Sequence, residues 1–122
     1  MAKSKENRPY HLTPSESAVM QILWNSKDPM TQLGIIGAAK ANETLTWKER
    51  SIFSMLNSLL EKGMIKEEGF VRSGKTYART FVAAMTKAEY YARMVSDALS
   101  PKEINEFNRI LRTLAKDKPA AE

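Results

Sequence analysis

The sequence contains no cysteine and a single histidine, His11. The lack of thiols excludes disulfides, thiolate metal ligands and a cysteine nucleophile. A phosphate-binding P-loop and the Gly-x-Ser-x-Gly turn of serine hydrolases are also missing. The neighbouring acids Glu67 and Glu68 are expected to point to opposite faces of a strand, as solvent-exposed charges. We therefore predict that the protein is not an enzyme and has no metal site or other cofactor.

No apolar run approaches the length of a membrane-spanning helix, and residues 1–11 lack the apolar segment of a secretory signal. The expected location is cytoplasmic, with no membrane partner. The 122 residues, 43% of them hydrophobic, suit one compact domain with a modest appendage. We predict a flexible basic arm over residues 1–11, a folded domain over residues 12–84 and a two-helix tail over residues 85–122.

Acidic residues are fewer than basic ones, which gives a formal net charge of +5. Residues 1–85 hold twelve lysines and arginines against eight acids, whereas residues 86–122 hold seven against six. The positive excess thus belongs to the first part of the chain. It favours a polyanionic partner such as nucleic acid.

Four segments begin with a serine or threonine followed three residues later by glutamate, which is the pattern of a reciprocal cap at a helix start. The pairs are Thr13 with Glu16, Thr46 with Glu49, Thr86 with Glu89, and Ser100 with Glu103. A further, short helix capped by Thr31 is expected to bury Leu33, Ile36 and Ala39. Its glycines, Gly34 and Gly37, weaken it unless they permit close approach of a neighbouring helix.

The third helix is predicted to run from Trp47 to about Lys62, with Gly63 as its left-handed C-terminal residue. Two extended segments follow, Ile65 to Arg72 and Lys75 to Val82, joined at Ser73-Gly74. Three helices and a hairpin in this order outline a winged helix-turn-helix. The predicted fold class is therefore mainly α with α+β character, a winged helix-turn-helix with a short C-terminal helical extension for dimerisation. The hairpin is expected to pack on the helices through Phe70, Tyr77 and Phe81.

The two faces of the third helix differ in character. One side carries apolar residues at helical spacing and is expected to be buried, whereas the other mixes cationic, hydroxyl, amide and aromatic groups. In a winged helix this second face enters the major groove of DNA. The predicted DNA contacts are Thr46, Trp47, Lys48, Arg50, Ser51 and Ser54 of the recognition helix and Arg72 and Lys75 of the wing. The alternative for Trp47 is a core position, and for Lys48 and Arg50 it is solvated surface charge.

Each tail helix also has an apolar stripe, and helices this short cannot bury two stripes against each other alone. The tail either docks on its own domain or pairs with the tail of a second chain. We favour a homodimer, because repressors commonly bind symmetric half-sites. The predicted dimerisation residues are Tyr91, Met94, Val95, Ile104, Phe107, Ile110, Leu111 and Leu114.

Three segments resemble the penicillinase-repressor and copper-repressor family: Leu12 to Trp24 is similar to its first helix, Trp47 to Gly63 to its recognition helix, and Ser100 to Leu111 to its last helix. The resemblance implies a bacterial, dimeric winged-helix repressor that occupies inverted-repeat operators until an external signal releases it. The inducer or sensor protein is not identified by the sequence. Family members usually carry basic residues at the positions of Phe53 and Ser58. The absence of these basic residues is expected to remove phosphate contacts from this chain.

The predicted function is sequence-specific binding of double-stranded DNA as a homodimeric transcriptional repressor on inverted-repeat operators. The alternative is a winged-helix protein–protein interaction module that uses the face of Trp47 and Phe53 and does not bind DNA. Exposed aromatic side chains on this helix are typical of such a partner site.

Overall fold

Five α-helices and a three-stranded antiparallel sheet make up residues 11–42 and 47–118, the part of the chain that the computed structural model describes. In chain order the elements are α1 (Pro14–Asn25), β1 (Met30–Thr31), α2 (Gln32–Ala41), a 3₁₀ turn (Glu49–Ser51), α3 (Ile52–Glu61), β2 (Ile65–Ser73), β3 (Thr76–Ala83), α4 (Lys87–Ala98) and α5 (Pro101–Lys116). The mainly helical winged helix-turn-helix predicted from the sequence is confirmed.

The chain divides into two compact units, Met1–Lys87 and Ala88–Glu122. The first unit holds the three N-terminal helices and the sheet. The predicted basic arm lies outside the described residues, except for His11. None of the described helices is both long enough and apolar enough to cross a lipid bilayer.

The reciprocal caps predicted for the first and the last helix are present in full. At the start of α1, Glu16 N donates to Thr13 Oγ1 at 3.1 Å, and Thr13 N donates to Glu16 Oε1 at 2.9 Å. Ser100 and Glu103 form the same pair of bonds at the start of α5. These bonds satisfy backbone N–H groups that have no partner within the helix, which fixes where both helices begin.

The third helix begins later than predicted. Trp47 and Lys48 precede the 3₁₀ turn, and regular α-helix starts only at Ile52. Thr46, the predicted cap, lies outside the described residues. Glu49, the partner predicted for Thr46, forms an ion pair of 2.5 Å with Lys40 of α2. Ser51, the residue before α3, makes no capping hydrogen bond through its side chain. The segment therefore enters α3 through a tight turn, as is common at helix N-termini.

The sheet contains one strand that the sequence did not predict. Met30 and Thr31 of β1 pair with Phe81 and Thr80 of β3. The β2–β3 hairpin was predicted, but its two-residue turn is Gly74-Lys75, one position later than expected, because Ser73 pairs with Thr76. Gly74 has φ of +64°, which a glycine adopts without steric cost.

The core of the first unit lies between the three helices and the base of the sheet. Its buried side chains include Val19, Met20, Ile22, Leu23, Ile35, Ile36, Ala39, Ile52, Leu56, Leu59, Met64, Ile65 and Phe81. Burial along β3 is confined to Thr80 and Phe81, the residues that pair with β1. Toward the turn the hairpin is exposed, so the prediction that Phe70 and Tyr77 anchor it was wrong.

Candidate nucleic-acid interface

The exposed face of α3 is built by helical periodicity. Ile52, Leu56 and Leu59 are buried, and a residue about 100° further round the helix falls outside that stripe. Phe53, Ser54 and Asn57 occupy this outer face and are exposed. Because the buried stripe already fixes the helix on the core, these outer side chains are free to contact a ligand.

Two cationic residues lie just before this face in the chain. Lys48 and Arg50 are both exposed, and Arg50 lies in the 3₁₀ turn directly before α3. Ser51 is half-buried and Ser54 is exposed. Trp47 is half-buried, and its Nε1 is covered and has no hydrogen-bond partner among the described residues. The indole ring of Trp47 is thus less exposed than the side chains of Lys48 and Arg50.

Three further cations lie in the half of the wing that is nearer its turn. The Nε of Arg72 donates to the carbonyl of Gly74 at 3.2 Å, and its guanidinium lies 5.7 Å from the centre of the Tyr77 ring. These contacts hold Arg72 against the hairpin while leaving it exposed. Lys75 is exposed at the turn, and Arg79 forms an ion pair of 2.9 Å with Glu67 across the strands. Arg72 and Lys75 are therefore available to phosphates, whereas Arg79 is partly neutralised.

An open groove of about 560 Å³ lies between α3, the start of α2 and the wing. We call it the α3–wing groove. It is lined by Thr31, Gln32, Leu33, Phe53, Leu56, Asn57, Leu60, Glu67, Val71, Arg72, Ala78, Arg79 and Phe81. Three large apolar side chains in this lining, Leu33, Phe53 and Val71, are 73%, 63% and 46% exposed. The groove brings the wing cation Arg72 and the outer face of α3 to one surface.

Sequence reasoning missed this groove, although one signal for it was present. Leu33 was assigned to the buried stripe of α2, which in fact consists of Ile35, Ile36 and Ala39. With Ile35 included, the centre of the buried stripe lies about 110° around the helix from Leu33. The exposed position of Leu33 therefore follows from helix geometry. Val71 gave no comparable signal, because a strand near a hairpin turn has no fixed buried face.

A buried carboxylate ties α3 to α1. Glu16 accepts hydrogen bonds from Ser58 Oγ at 2.5 Å and from Lys62 Nζ at 2.6 Å, and Lys62 also donates to the carbonyl of His11 at 3.1 Å. Burial alone would raise the pKa of Glu16, but these hydrogen bonds, the Thr13 N–H and the Lys62 charge outweigh it and lower the pKa below the ordinary glutamate range.

These contacts change the interpretation of position 58. The sequence suggested that a phosphate contact is lost there. Ser58 is half-buried, and its hydroxyl faces Glu16, so the side chain at this position lies at the α1–α3 contact and not on the exposed face of α3. Phe53, the other position in that argument, is exposed.

An exposed polar helix face, cations leading into it and a β-hairpin beside it define the class of winged-helix DNA-binding proteins. Residues 12–122 match the penicillinase-repressor family, and the chain belongs to that family. The resemblance noted in the sequence is thereby confirmed, and the chain has the winged-helix fold.

Other comparisons are more distant. No curated protein matches the chain significantly. Among solved structures, the peroxide-sensing gene regulator PerR from Streptococcus pyogenes is 12% identical with a TM-score of 0.47; the match covers 60% of this chain and 47% of PerR, so the chain spans about half the length of that protein. The ferric uptake regulator Fur from Helicobacter pylori is 13% identical with a TM-score of 0.46, covering 88% and 73%.

Proposed function

We propose that the protein represses transcription from the cytoplasm as a homodimer that binds inverted-repeat operators, with one α3 in the major groove of each half-site. The observation that supports this most directly is the surface formed by the outer face of α3 and the wing. Arg50 is exposed in the turn before α3, and Phe53 and Asn57 of the outer face line the α3–wing groove together with Arg72. Two elements therefore present donors to one polyanionic ligand.

The roles of these side chains follow from the chemistry of duplex DNA. Arg50 has the planar donor geometry that matches guanine O6 and N7, and the hydroxyls of Ser51 and Ser54 can reach base edges. Lys48, Arg72 and Lys75 are assigned to phosphates, which position the protein without reading sequence. Trp47 contributes through the exposed part of its ring only, and Thr46 completes the predicted set.

The dimer is assigned to the second unit. Tyr91, Met94, Ile110, Leu111 and Leu114 are between 38% and 53% exposed in the single chain. Val95, Ile104 and Phe107 are half-buried and line a groove of about 500 Å³ between α4 and α5. All eight predicted dimerisation residues thus retain apolar surface that a second chain would cover.

The proposal is tested by comparing two single substitutions on two kinds of DNA. An operator is first selected from a random duplex library with the wild-type protein. Arg50→Ala should weaken binding to that operator by about 1–3 kcal/mol and leave binding to random duplex nearly unchanged, because base contacts carry specificity. Lys75→Ala should weaken both similarly and reduce the slope of log K against log salt by about one. Equal losses on both duplexes for Arg50→Ala would contradict its base-reading role.

A second function is favoured by one observation. Phe53 and Leu33 are exposed at the surface assigned to DNA, and exposed apolar side chains also mark protein-binding sites. A protein–protein interaction module would bind no duplex even at low salt. Duplex retardation across a salt series separates the two functions, because phosphate contacts make DNA binding fall steeply as salt rises.

A further inference from the structure

Phe53 lies on the same side of the chain as Arg50 and Asn57. Arg50 lies in the 3₁₀ turn directly before α3, three positions from Phe53, a spacing that places side chains near one another in both 3₁₀ and α-helices. Within α3, Phe53 and Asn57 are four residues apart and therefore share a face. A ligand that meets Arg50 and Asn57 also meets the ring between them.

The ring of Phe53 is not needed by the core. It is 63% exposed, while Ile52 and Leu56 beside it are each 2% exposed and fill the interior. Phe53 instead forms part of the α3–wing groove with the exposed side chains Leu33 and Val71. Arg72 lines the same groove, so an apolar surface of three side chains sits directly beside a cation that is suited to a phosphate.

The major groove of DNA offers one apolar group to such a surface. Guanine, cytosine and adenine present only hydrogen-bond donors and acceptors there, whereas thymine presents its C5-methyl group. We propose that Phe53 recognises thymine by packing its ring on that methyl group, which presupposes the DNA binding proposed above. The thymine lies next to the base pair that Arg50 contacts. Phe53 is thus a specificity-determining residue, and it selects T·A pairs by apolar contact instead of hydrogen bonds.

This inference explains why an apolar side chain at a DNA-facing position is compatible with a repressor. A cation at position 53 would strengthen binding to every sequence, because phosphates are the same everywhere. A phenylalanine at this position lacks the attraction to phosphates but makes a contact that depends on the base. The specific affinity would then depend more on sequence and less on salt than that of a protein with a cation there.

The test removes the methyl group and the ring separately. Each thymine of the selected operator is replaced in turn by deoxyuridine, which lacks only the methyl group. At the thymine that Phe53 contacts, the wild-type protein should lose about fourfold in affinity per methyl, as expected for one buried CH₂-sized group. Phe53→Ala should bind the thymine and deoxyuridine operators equally. Phe53→Leu, which keeps a smaller apolar side chain, should retain part of the discrimination.

Phe70→Ala is the matched control. Phe70 is 66% exposed, close to the 63% of Phe53, and lies on β2, but it does not line the α3–wing groove. Its loss should leave the deoxyuridine effect at the wild-type value. Because Phe53 and Phe70 are both exposed, neither substitution is expected to change the unfolding temperature by more than a few degrees, and this measurement confirms that the variants are folded.

Three results would overturn the inference. The first is an operator in which no thymine responds to deoxyuridine with the wild-type protein. The second is a response that persists unchanged in Phe53→Ala, which would assign the methyl contact to another side chain such as Trp47 or leave Phe53 to a protein partner. In both of these cases specific DNA binding remains. The third is the absence of salt-dependent binding to any duplex, in which case the repressor proposal fails as well.

Discussion

Glu16 shows how a single side chain can serve two elements. Its backbone N–H and one carboxylate oxygen complete the cap of α1, and the carboxylate also accepts hydrogen bonds from Ser58 and Lys62 at the far end of α3. The residue is 4% exposed, so its charge would be costly without these donors. The orientation of α3 relative to α1 therefore depends on a buried ion pair as well as on apolar packing.

Replacing Glu16 with Gln keeps the size of the side chain and removes its charge. We expect the free energy of unfolding at neutral pH to fall by about 2 kcal/mol, because Lys62 and Ser58 lose a charged acceptor. The lowered pKa sets the sign of the pH dependence. The stabilisation is fully present above the pKa that glutamate has in the unfolded chain and is lost as the pH falls through the lower pKa of the folded state.

Urea unfolding of both proteins from about pH 7 to about pH 3 measures this effect, because other carboxylates titrate in both proteins and cancel in the difference. Glu106→Gln, at an exposed position of α5, is the matched control and should change stability by less than about 0.5 kcal/mol. A difference between wild type and Glu16→Gln that stays constant over the whole range would show that the fold does not stabilise the Glu16 charge.

At the scale of the elements, the features with a local cause could be predicted from the sequence. The caps of α1 and α5 and the left-handed Gly63 after α3 depend on residues within a few positions of each other, and all three are confirmed. The features that were missed depend on distant partners. β1 is two residues long and pairs with Phe81 and Thr80, which lie far from it in the sequence.

A glycine within α2 and a glycine just after α3 give a prediction at this scale. A methyl group added at Gly37 would meet no atom within 4 Å, so this glycine does not serve close helix packing. Gly37→Ala should raise the free energy of unfolding by about 0.5–1 kcal/mol through helix propensity. A methyl group at Gly63 also meets nothing, but the backbone there has φ of +77°. Gly63→Ala should lower the free energy by about 1 kcal/mol.

The two substitutions control for each other, because both add one methyl group in open space. Only the backbone conformation differs between them. Thermal or urea unfolding should give shifts of opposite sign. Shifts of the same sign would mean that the added methyl group acts through the unfolded chain or the solvent and not through the conformation of the helix and its C-terminal residue.

At the scale of the whole molecule, the sequence indicated candidate residues for the site but not their arrangement in space. The separation of a basic first part from a nearly neutral tail follows from counting charges, and Lys48, Arg50, Arg72 and Lys75 are all exposed. The α3–wing groove could be predicted only in part. The exposure of Leu33 follows from helix geometry, whereas the approach of Val71 and Arg72 to α3 depends on where the hairpin lies in the folded chain.

The last prediction concerns the assembly of the proposed repressor. In the full chain, replacing Leu111 and Leu114 with Glu places two charges on the apolar face of α5, where both leucines are about half exposed. The charges should keep this face in water, so the protein should sediment as a monomer while its helix content is retained. Affinity for a full operator should fall by about 10²-fold or more, because two linked half-site contacts become two independent ones.

Arg109→Glu on the opposite face of α5 is the matched control and should remain a dimer, because it lies outside the apolar stripe. A chain that ends before Thr86 provides a second, independent test. It keeps the Trp24 side chain bonded to the carbonyl of Met85 at 2.9 Å and should form a folded monomer that binds half-sites weakly. If the truncated chain or the double glutamate variant still sediments as a dimer, the second unit is not the dimer interface. The partner contact would then have to lie within the first unit, whose exposed apolar residues surround the α3–wing groove.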